Sequence, residues 1–256
     1  MLNTEEKKPI IEVKHFTAVM GGDIIIDNIS FQVNAGEIFV ILGGSGCGKS
    51  TLLKHLIGLI EPASGDIEIE GENIATSTDE NRKKIQNKIG VMYQQGALFG
   101  SMNLLENVSL PLQEFTDFKP DAIHLIAQMK LQMVGLGKYA KHFPSEISGG
   151  MKKRAAIARA MALDPKILFL DEPSAGLDPI TSAELDHLIK RLSRNFNITF
   201  VVVTHELESI YSIADRVIML DKRVKKIVAT GKPADLRDNS DNPWVRQFFR
   251  REINSE

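Results

Sequence analysis

The chain has almost no cysteine and no long apolar run, and each shortage excludes a class of protein. Cys47 is the only cysteine among 256 residues, so neither an internal disulfide nor a cysteine-based zinc site is possible. No apolar run approaches the roughly 20 residues that a membrane-spanning helix requires. Residues 1–9 lack the apolar stretch of a secretion signal. The 31 basic and 33 acidic residues give a formal net charge of −2, which offers no electrostatic attraction for nucleic acid. We therefore expect a soluble, cytoplasmic protein whose membrane role, where there is one, is peripheral and through a partner.

A glycine-rich loop is the most informative feature that is present. Residues 43–50 (GGSGCGKS) fit the pattern G-x-x-x-x-G-K-[ST] of a phosphate-binding loop. The apolar run Ile38–Leu42 precedes it as a buried strand, and a helix-competent stretch follows. Closely spaced glycines let backbone N–H groups surround an anion, and the helix N-terminus adds its positive end. Lys49 would reach the β- and γ-phosphates, and the Ser50 hydroxyl would bind Mg²⁺. Because Cys47 lies in this loop, its alkylation is expected to block nucleotide binding. The predicted nucleotide-binding residues are Gly43, Gly44, Ser45, Gly46, Cys47, Gly48, Lys49, Ser50 and Thr51.

Two kinds of strand pattern predict two sheets. Apolar and polar residues alternate within residues 10–16 and 24–33 and around Ile67 and Ile69, which favours a small antiparallel sheet near the N-terminus. Other runs are apolar throughout, as the strands of a parallel sheet are when helices cover both faces. These runs are Ile38–Leu42, Val91–Tyr93, Ile167–Leu170 and Ile198–Val203. Each ends in polar residues. Because open α/β sheets bind ligands at the carboxyl ends of their strands, we predict a single nucleotide site there.

The middle of the chain is predicted to be helical. Proline and glycine punctuation sets off helices over residues 103–113, 119–134 and 149–163. We place them in a helical subdomain, residues 96–164, inserted between two parts of a nucleotide-binding core, residues 10–95 and 165–235. Together these parts make one domain, residues 10–235, followed by a C-terminal extension, residues 236–256.

Two adjacent carboxylates, Asp171 and Glu172, follow the apolar run of residues 167–170. Neighbouring side chains at a strand end point in different directions, so we assign them different roles. Asp171 would hold Mg²⁺ through water, and Glu172 would orient and deprotonate the attacking water. Alone, an apolar run followed by Asp-Glu is a weak signal. Its place about 120 residues after a phosphate loop makes it a strong one.

A second candidate anion site lies at Ser148, Gly149 and Gly150, which precede a predicted helix. The separation of this site from the phosphate loop favours a head-to-tail dimer, with each γ-phosphate between the loop of one copy and Ser148 of the other. The alternative is that Ser148 only caps its helix. His205 would contact the γ-phosphate, or it is an ordinary hydrogen-bonded histidine. The charge run Lys152–Arg154 is interpreted as a solvated helix face.

The order of these motifs resembles that of the ATP-binding cassette (ABC) ATPases over residues 10–235. The resemblance implies an α/β P-loop NTPase fold: a mostly parallel RecA-like sheet, an N-terminal antiparallel β-subdomain and an inserted helical subdomain. It also implies two copies of the chain that enclose two ATP molecules with Mg²⁺. The implied roles are Mg²⁺ binding for Ser50, Gln94 and Asp171, catalysis for Glu172 and His205, a signature loop acting on the partner's nucleotide for Ser148, Gly149, Gly150 and Met151, and a D-loop position for Asp178.

Some positions depart from the family pattern. Met151 stands where most members have glutamine, and Ile147 where most have leucine. The residue before Gly21-Gly22 usually carries an aromatic ring that stacks on adenine. Here that residue is Met20, with Phe16 four residues earlier. Aromatic stacking of the base is therefore not assured, and loose base selectivity is expected.

Finer details resemble the ATPase subunits of Mce-type phospholipid transporters, including those that maintain outer-membrane lipid asymmetry. They are residues 94–99 (QQGALF), Asn107-Val108, Pro111-Leu112 and the Ser-Gly-Gly-Met signature. The resemblance implies a peripheral ATPase on the cytoplasmic side of the inner membrane. Its implied partners are an integral membrane permease, a periplasmic Mce-domain lipid-binding protein and a small STAS-domain protein. The segment Gly96–Met102 is the candidate permease-docking groove. Packing of Leu98 and Phe99 inside the helical subdomain is the alternative.

Other functions compete with this interpretation. One is an ABC importer for amino acids or metals, and another is a soluble ABC regulator that works without a permease. Such regulators usually carry two cassettes or a long coiled coil, whereas this chain has one cassette and no sustained heptads. Glu172 argues against a binding module that does not hydrolyse ATP. The tail from Pro243 to Phe249, with the lone Trp244, either crosses to a partner or folds onto its own subunit.

Overall fold

The computed structural model describes residues 9–251, except for the side chain of Asp79. Within that range no helix is both long enough and apolar enough to cross a membrane. Between residues 9 and 92 the strands and α-helices are β1 (Pro9–Met20), β2 (Asp23–Asn34), β3 (Ile38–Gly43), α1 (Lys49–Leu56), β4 (Ser64–Ile69), β5 (Glu72–Asn73), α2 (Asp79–Gln86) and β6 (Ile89–Met92). The remaining strands and α-helices are α3 (Leu104–Phe115), α4 (Pro120–Met133), α5 (Gly149–Ala160), β7 (Ile167–Asp171), α6 (Pro179–Phe196), β8 (Thr199–Val203), α7 (Leu207–Ile213), β9 (Arg216–Asp221), β10 (Lys226–Gly231), α8 (Pro233–Asn239) and α9 (Pro243–Arg250).

The larger sheet has six strands in the order β10-β9-β3-β8-β7-β6, and all neighbouring pairs are parallel except β10 with β9. Each face of this sheet belongs to a different hydrophobic cluster. In β3, Ile38, Val40 and Leu42 pack with helices α3 to α6, whereas Phe39 and Ile41 pack with α1 and the antiparallel sheet. Burial on both faces is why these strands are apolar throughout, as predicted.

The smaller sheet is antiparallel, in the order β2-β1-β4-β5. Its first two strands are longer than residues 10–16 and 24–33, because the hairpin continues to the pair Met20 and Asp23. Gly21 and Gly22 close the turn, both with positive φ. The hairpin therefore extends Met20 past the last pair between β1 and β4, which is Thr17 with Ser64.

The helices α3, α4 and α5 lie between β6 and β7 in the chain, as the proline and glycine pattern predicts. Their ends differ by a few residues from the prediction. The third begins at Gly149 as expected but ends at Ala160 instead of residue 163. Residues 161–163 form a turn that leads into Asp164, whose φ of 51° is not helical.

The C-terminal elements contain two strands that the sequence pattern did not reveal, β9 and β10. After them the described part of the tail folds onto its own subunit. Val245 and Phe249 of α9 are buried, and the Tyr211 hydroxyl donates to the Phe249 carbonyl at 2.8 Å. The guanidinium of Arg223 lies over the half-buried Trp244 ring, 5.0 Å from its centroid. Residues 252–256 of the predicted extension lie outside the described residues.

Candidate functional site

The strand order brings four polar strand ends to one edge of the larger sheet. The phosphate loop follows β3, and β8 beside it leads to Thr204 and His205. Next comes β7, which ends at Asp171, and then β6, which leads to Gln94. Because these strands are parallel, their carboxyl ends meet, as expected of a ligand site in an open α/β sheet.

The phosphate loop has the backbone geometry of an anion cradle. Gly43 has a φ of 151°, and a Cβ there would collide with the Leu220 carbonyl of β9 and the sulfur of Cys47. Gly48 has a φ of 98° and precedes α1, whose N-terminus no side chain caps. The first N–H groups of α1 are therefore available to a phosphate.

The side chains of the phosphate loop differ in their exposure to solvent. The Lys49 ammonium donates to the carbonyls of Gly43 at 2.8 Å and Gly44 at 3.3 Å, and Ser50 is exposed. Cys47 is only 2% exposed, and burial raises the pKa of its thiol. The thiolate is the reactive form, so alkylation of the folded protein should be slow. The sequence did not reveal this protection.

The adjacent carboxylates at the end of β7 lie where the backbone leaves the extended conformation. Glu172 has a φ of 45°, a left-handed conformation that is uncommon outside glycine. Its Oε1 atom lies 2.8 Å from Nδ1 of the exposed His205. Asp171 Oδ1 and Glu172 Oε2 are buried and have no hydrogen-bond partner. Burial, reinforced by the charge of Glu172, raises the pKa of Asp171.

A buried cation joins this cluster. Lys153 on α5 is 7% exposed, and its ammonium donates to the Gln94 carbonyl and, at 3.3 Å, to the Glu172 carbonyl. The interpretation of residues 152–154 as a solvated face is therefore wrong for Lys153, although Lys152 and Arg154 remain partly exposed. The charge run did not reveal this because the helix face that is buried depends on what α5 packs against.

The signature residues lie at the N-terminus of α5. Ser148 is exposed, and its Oγ accepts a hydrogen bond from the Met151 N–H at 3.3 Å. Asp178 caps α6 in the same way, through the N–H groups of Ile180 and Thr181 at 3.1 and 3.0 Å. No hydrogen bond or ion pair among the described residues links Ser148 to the phosphate loop.

Similarity to known proteins agrees with this geometry. The family model for ABC transporters matches residues 26–175, more than half of the chain. The chain belongs to the ABC transporter family. It is an ABC-type ATPase.

Two curated relatives are similar over most of this ABC chain. It is 44% identical to the probable ribonucleotide transport ATP-binding protein mkl of Mycobacterium leprae, over 93% of the chain and 68% of that protein. It is 42% identical to the intermembrane phospholipid transport system ATP-binding protein MlaF of Escherichia coli K12, over 94% of the chain and 88% of that protein.

A solved structure confirms the fold. The ATP-binding cassette MJ0796, in a dimeric post-hydrolysis state bound to ADP and Pi, is 32% identical, with a TM-score of 0.77 over 87% of this chain and 98% of that one. The ABC ATPase fold predicted from the motif order is therefore correct.

The two residues considered for base stacking lie in different environments in this ABC ATPase. Phe16 is fully buried and packs edge-on against His55, with ring centroids 5.0 Å apart. It cannot contact a base. Met20 is 45% exposed, and its sulfur accepts from the Thr51 hydroxyl at 3.5 Å. Its side chain therefore lies beside the start of α1.

A divalent cation fits the site. Among the described residues no group of three His, Cys, Asp or Glu side chains is arranged to hold a metal. Mg²⁺ in nucleotide sites, however, takes only one or two carboxylates, with phosphate oxygens and water as its other ligands. The unpartnered buried oxygen of Asp171 suits that donor set, because a cation beside it would offset the cost of ionising that carboxyl.

Proposed function

We propose that this chain is the ATP-hydrolysing subunit of an ABC transporter that moves phospholipid between the inner membrane and periplasmic carriers and so maintains outer-membrane lipid asymmetry. The similarity to MlaF carries the proposal, since 42% identity extends over 88% of that protein. The mycobacterial relative, named for ribonucleotide transport, is matched over a smaller share of its length. Ribonucleotide transport is therefore the second candidate.

The proposed mechanism assigns each strand end one task. Residues 43–51 bind the triphosphate, with Lys49 on its β- and γ-phosphates. Glu172 orients and deprotonates the attacking water, and His205, held by Glu172 at 2.8 Å, contacts the γ-phosphate. Ser50, Gln94 and Asp171 would hold Mg²⁺, which would neutralise the charge of the phosphates. Water then attacks the γ-phosphorus, the bond to the β-phosphate oxygen breaks, and ADP and phosphate leave.

A second copy of the chain completes the proposed site. Ser148 to Met151 act on the partner's nucleotide, and Asp178 lies at the same surface. Two observations support this assignment. Ser148 is exposed at a helix N-terminus, where an anion is favoured. Ile180, next to the Asp178 cap, is 75% exposed, as expected of an apolar side chain that a partner covers.

The proposed membrane partner docks on residues 96–102. Asn107 is fully buried and shapes this segment: it accepts from the Phe99 N–H at 2.8 Å and donates to the Phe99 carbonyl at 3.1 Å and the Met102 carbonyl at 2.9 Å. The Phe99 ring is nevertheless 49% exposed. A rigid loop that presents an apolar ring suits a docking site better than internal packing.

The proposed assembly is peripheral to the cytoplasmic side of the inner membrane. It comprises two copies of this chain, an MlaE-like permease, an MlaD-like periplasmic Mce-domain protein and an MlaB-like STAS-domain protein. Within the chain we propose one ATPase domain, residues 10–235, whose helical subdomain is residues 96–164, followed by an extension, residues 236–256.

Affinity purification of the chain from its native membranes tests this function. We expect a multi-spanning permease, an Mce-domain protein and phospholipid to co-elute, and added phospholipid to stimulate ATP hydrolysis. Stimulation by ribonucleotides or amino acids instead, with a permease but no Mce-domain protein, would contradict the phospholipid assignment while leaving the ATPase assignment intact.

A further inference from the structure

The helix α5 carries a lysine whose charge is directed inwards. Lys153 is 7% exposed, and burial lowers the pKa of its ammonium, while the charges of Glu172, Glu206 and Asp171 act in the opposite sense. Its two hydrogen-bond acceptors are backbone carbonyls, of Gln94 and of Glu172. A buried charge of this kind costs free energy, so its position calls for a specific role.

A second cation of α5 also binds the segment of chain that begins at Gln94. Arg159 donates to the Ala97 carbonyl at 2.7 Å and to the Gly96 carbonyl at 2.9 Å. Between the two cations, Gly96 packs so closely on α5 that a Cβ there would lie 3.3 Å from the Cβ of Ala156. Lys153 and Arg159 are six residues apart, which is about 9 Å along a helix. The helix α5 therefore binds the backbone of residues 94–97 at two separate points.

We propose that Lys153 is a positioning residue for ATP hydrolysis. It ties the backbone of Glu172 and that of Gln94 to one point on α5, so that the base and the candidate Mg²⁺ ligand keep a fixed separation. Arg159 anchors the far end of the same loop. The proposal rests on the roles proposed above for Glu172 and Gln94.

In the proposed dimer, this arrangement would link α5 to both nucleotide sites. Ser148, at the start of the helix, is exposed, and Lys153, five residues later, donates to the backbone of Gln94 and Glu172 in its own subunit. A shift of α5 that follows nucleotide binding at Ser148 would move Glu172 and Gln94 through these hydrogen bonds.

The experiment compares Lys153→Met and Lys153→Arg with Lys130→Met in the purified full-length chain. Lys130 is the matched control because it is equally buried, 6% exposed, and pairs with Asp164 in the helical region. For Lys153→Met we expect kcat to fall by about tenfold to a hundredfold, the size of effect that misplaced catalytic groups produce. The Kd for a fluorescent ATP analogue should not change. Lys153→Arg should restore most of the rate, and Lys130→Met should hydrolyse ATP normally.

Several outcomes would overturn the positioning role: a normal kcat in Lys153→Met, a loss confined to KM, or an equal loss in Lys130→Met. If Lys153→Met does not fold, Lys153→Gln, whose shorter side chain does not reach both carbonyls, is compared with Lys153→Arg, and equal rates overturn the proposal. Glu172→Gln is measured alongside. Normal hydrolysis in that variant refutes the proposed base, whereas arrested hydrolysis beside a fully active Lys153→Met refutes only the positioning role.

Discussion

At the scale of single residues, the end of β7 concentrates unfavourable features, and a bound cation or water would satisfy the carboxylate oxygens among them. Glu172 adopts a left-handed backbone conformation, and one oxygen of each of the two carboxylates is buried without a partner. Such strain and unmet hydrogen-bonding capacity cluster at functional sites. The geometry is therefore better explained by catalysis than by stability.

Replacing Glu172 with glutamine should arrest hydrolysis without preventing ATP binding. The amide keeps the size of the side chain but cannot accept the proton of the attacking water, so we expect kcat to fall by about 10²–10⁴-fold. Phosphate release and binding of a fluorescent ATP analogue measure the two properties. Glu208→Gln, at an exposed carboxylate on α7, is the control and should retain full activity. Undiminished hydrolysis in Glu172→Gln would place the base elsewhere.

Asp186 on α6 should make stability depend on pH. Burial, with the charge of Glu206 adding to it, raises the pKa of this carboxyl from 3.8 to about 6. Between these values the folded protein keeps the proton that the unfolded chain loses, so stability falls as pH rises through that window. Asp186→Asn removes the titrating carboxyl and with it this pH dependence of stability.

The gain in unfolding free energy from Asp186→Asn should therefore be larger at about pH 7.5 than at about pH 4.5, by roughly 1–2 kcal/mol. Urea unfolding at both pH values measures it. Asp117→Asn, at an exposed loop position, should show no such difference. The same gain at both pH values would mean that Asp186 is not the titrating group.

At the scale of elements, the first turn of α5 packs against α6, and this contact depends on a glycine of α5. A Cβ at Gly150 would overlap the methyl group of Thr181, whereas one at Gly149 would meet Leu177 at an ordinary 3.6 Å. Gly150 thus has a packing role in addition to any role toward a nucleotide, and Gly149 does not.

Gly150→Ala should therefore destabilise the chain by about 1–3 kcal/mol, the usual cost of overpacking, and Gly149→Ala should not. Because serine lacks the threonine methyl but keeps its hydroxyl, Thr181→Ser should restore most of the loss in the double variant. Urea unfolding midpoints of Gly149→Ala, Gly150→Ala, Thr181→Ser and the Gly150→Ala/Thr181→Ser double variant measure these changes in stability. Equal stability of Gly149→Ala and Gly150→Ala, or no recovery with Thr181→Ser, would contradict the packing argument.

At the scale of the whole molecule, the phosphate loop and Ser148 belong to different parts of the chain, and no hydrogen bond or ion pair within residues 9–251 links them. In the proposed dimer, the phosphate loop of one copy and Ser148 of the other form one nucleotide site. The similar cassette MJ0796 is dimeric in its ADP- and Pi-bound state, which supports the same arrangement here.

ATP should drive dimerisation when hydrolysis is blocked. With Mg²⁺ and ATP, Glu172→Gln should elute as a dimer in size-exclusion chromatography with light scattering, because the γ-phosphate adds contacts to the closed state only. Adding Ser148→Arg should return it to a monomer, since the arginine obstructs the partner's nucleotide. Adding Ser64→Arg instead, at an exposed position on the antiparallel sheet, should leave the dimer intact. A dimer that survives Ser148→Arg would argue against this interface.

Much of the fold follows from patterns that are local in sequence. The phosphate loop is one continuous motif, and strands such as Ile38–Leu42 reveal their burial on both faces by being apolar at every position. The carboxyl ends of parallel strands must meet, so the convergence of Asp171, His205 and Gln94 on the loop was predictable. The same reasoning missed β9 and β10 and set the end of α5 three residues too late, because those boundaries depend on tertiary packing.

The sequence by itself thus determined the fold class, the family and the edge of the sheet where the candidate site lies. Only the tertiary structure decided which way individual side chains face. Phe16 fills the core and cannot contact a base, the Cys47 thiol is buried, and the described part of the tail packs on its own subunit. Lys153 alone of its charge run is buried, with its ammonium on the backbone carbonyls of Gln94 and Glu172. The physical reason is that burial of a side chain is set by the surfaces that pack against it, and those surfaces come from distant parts of the chain.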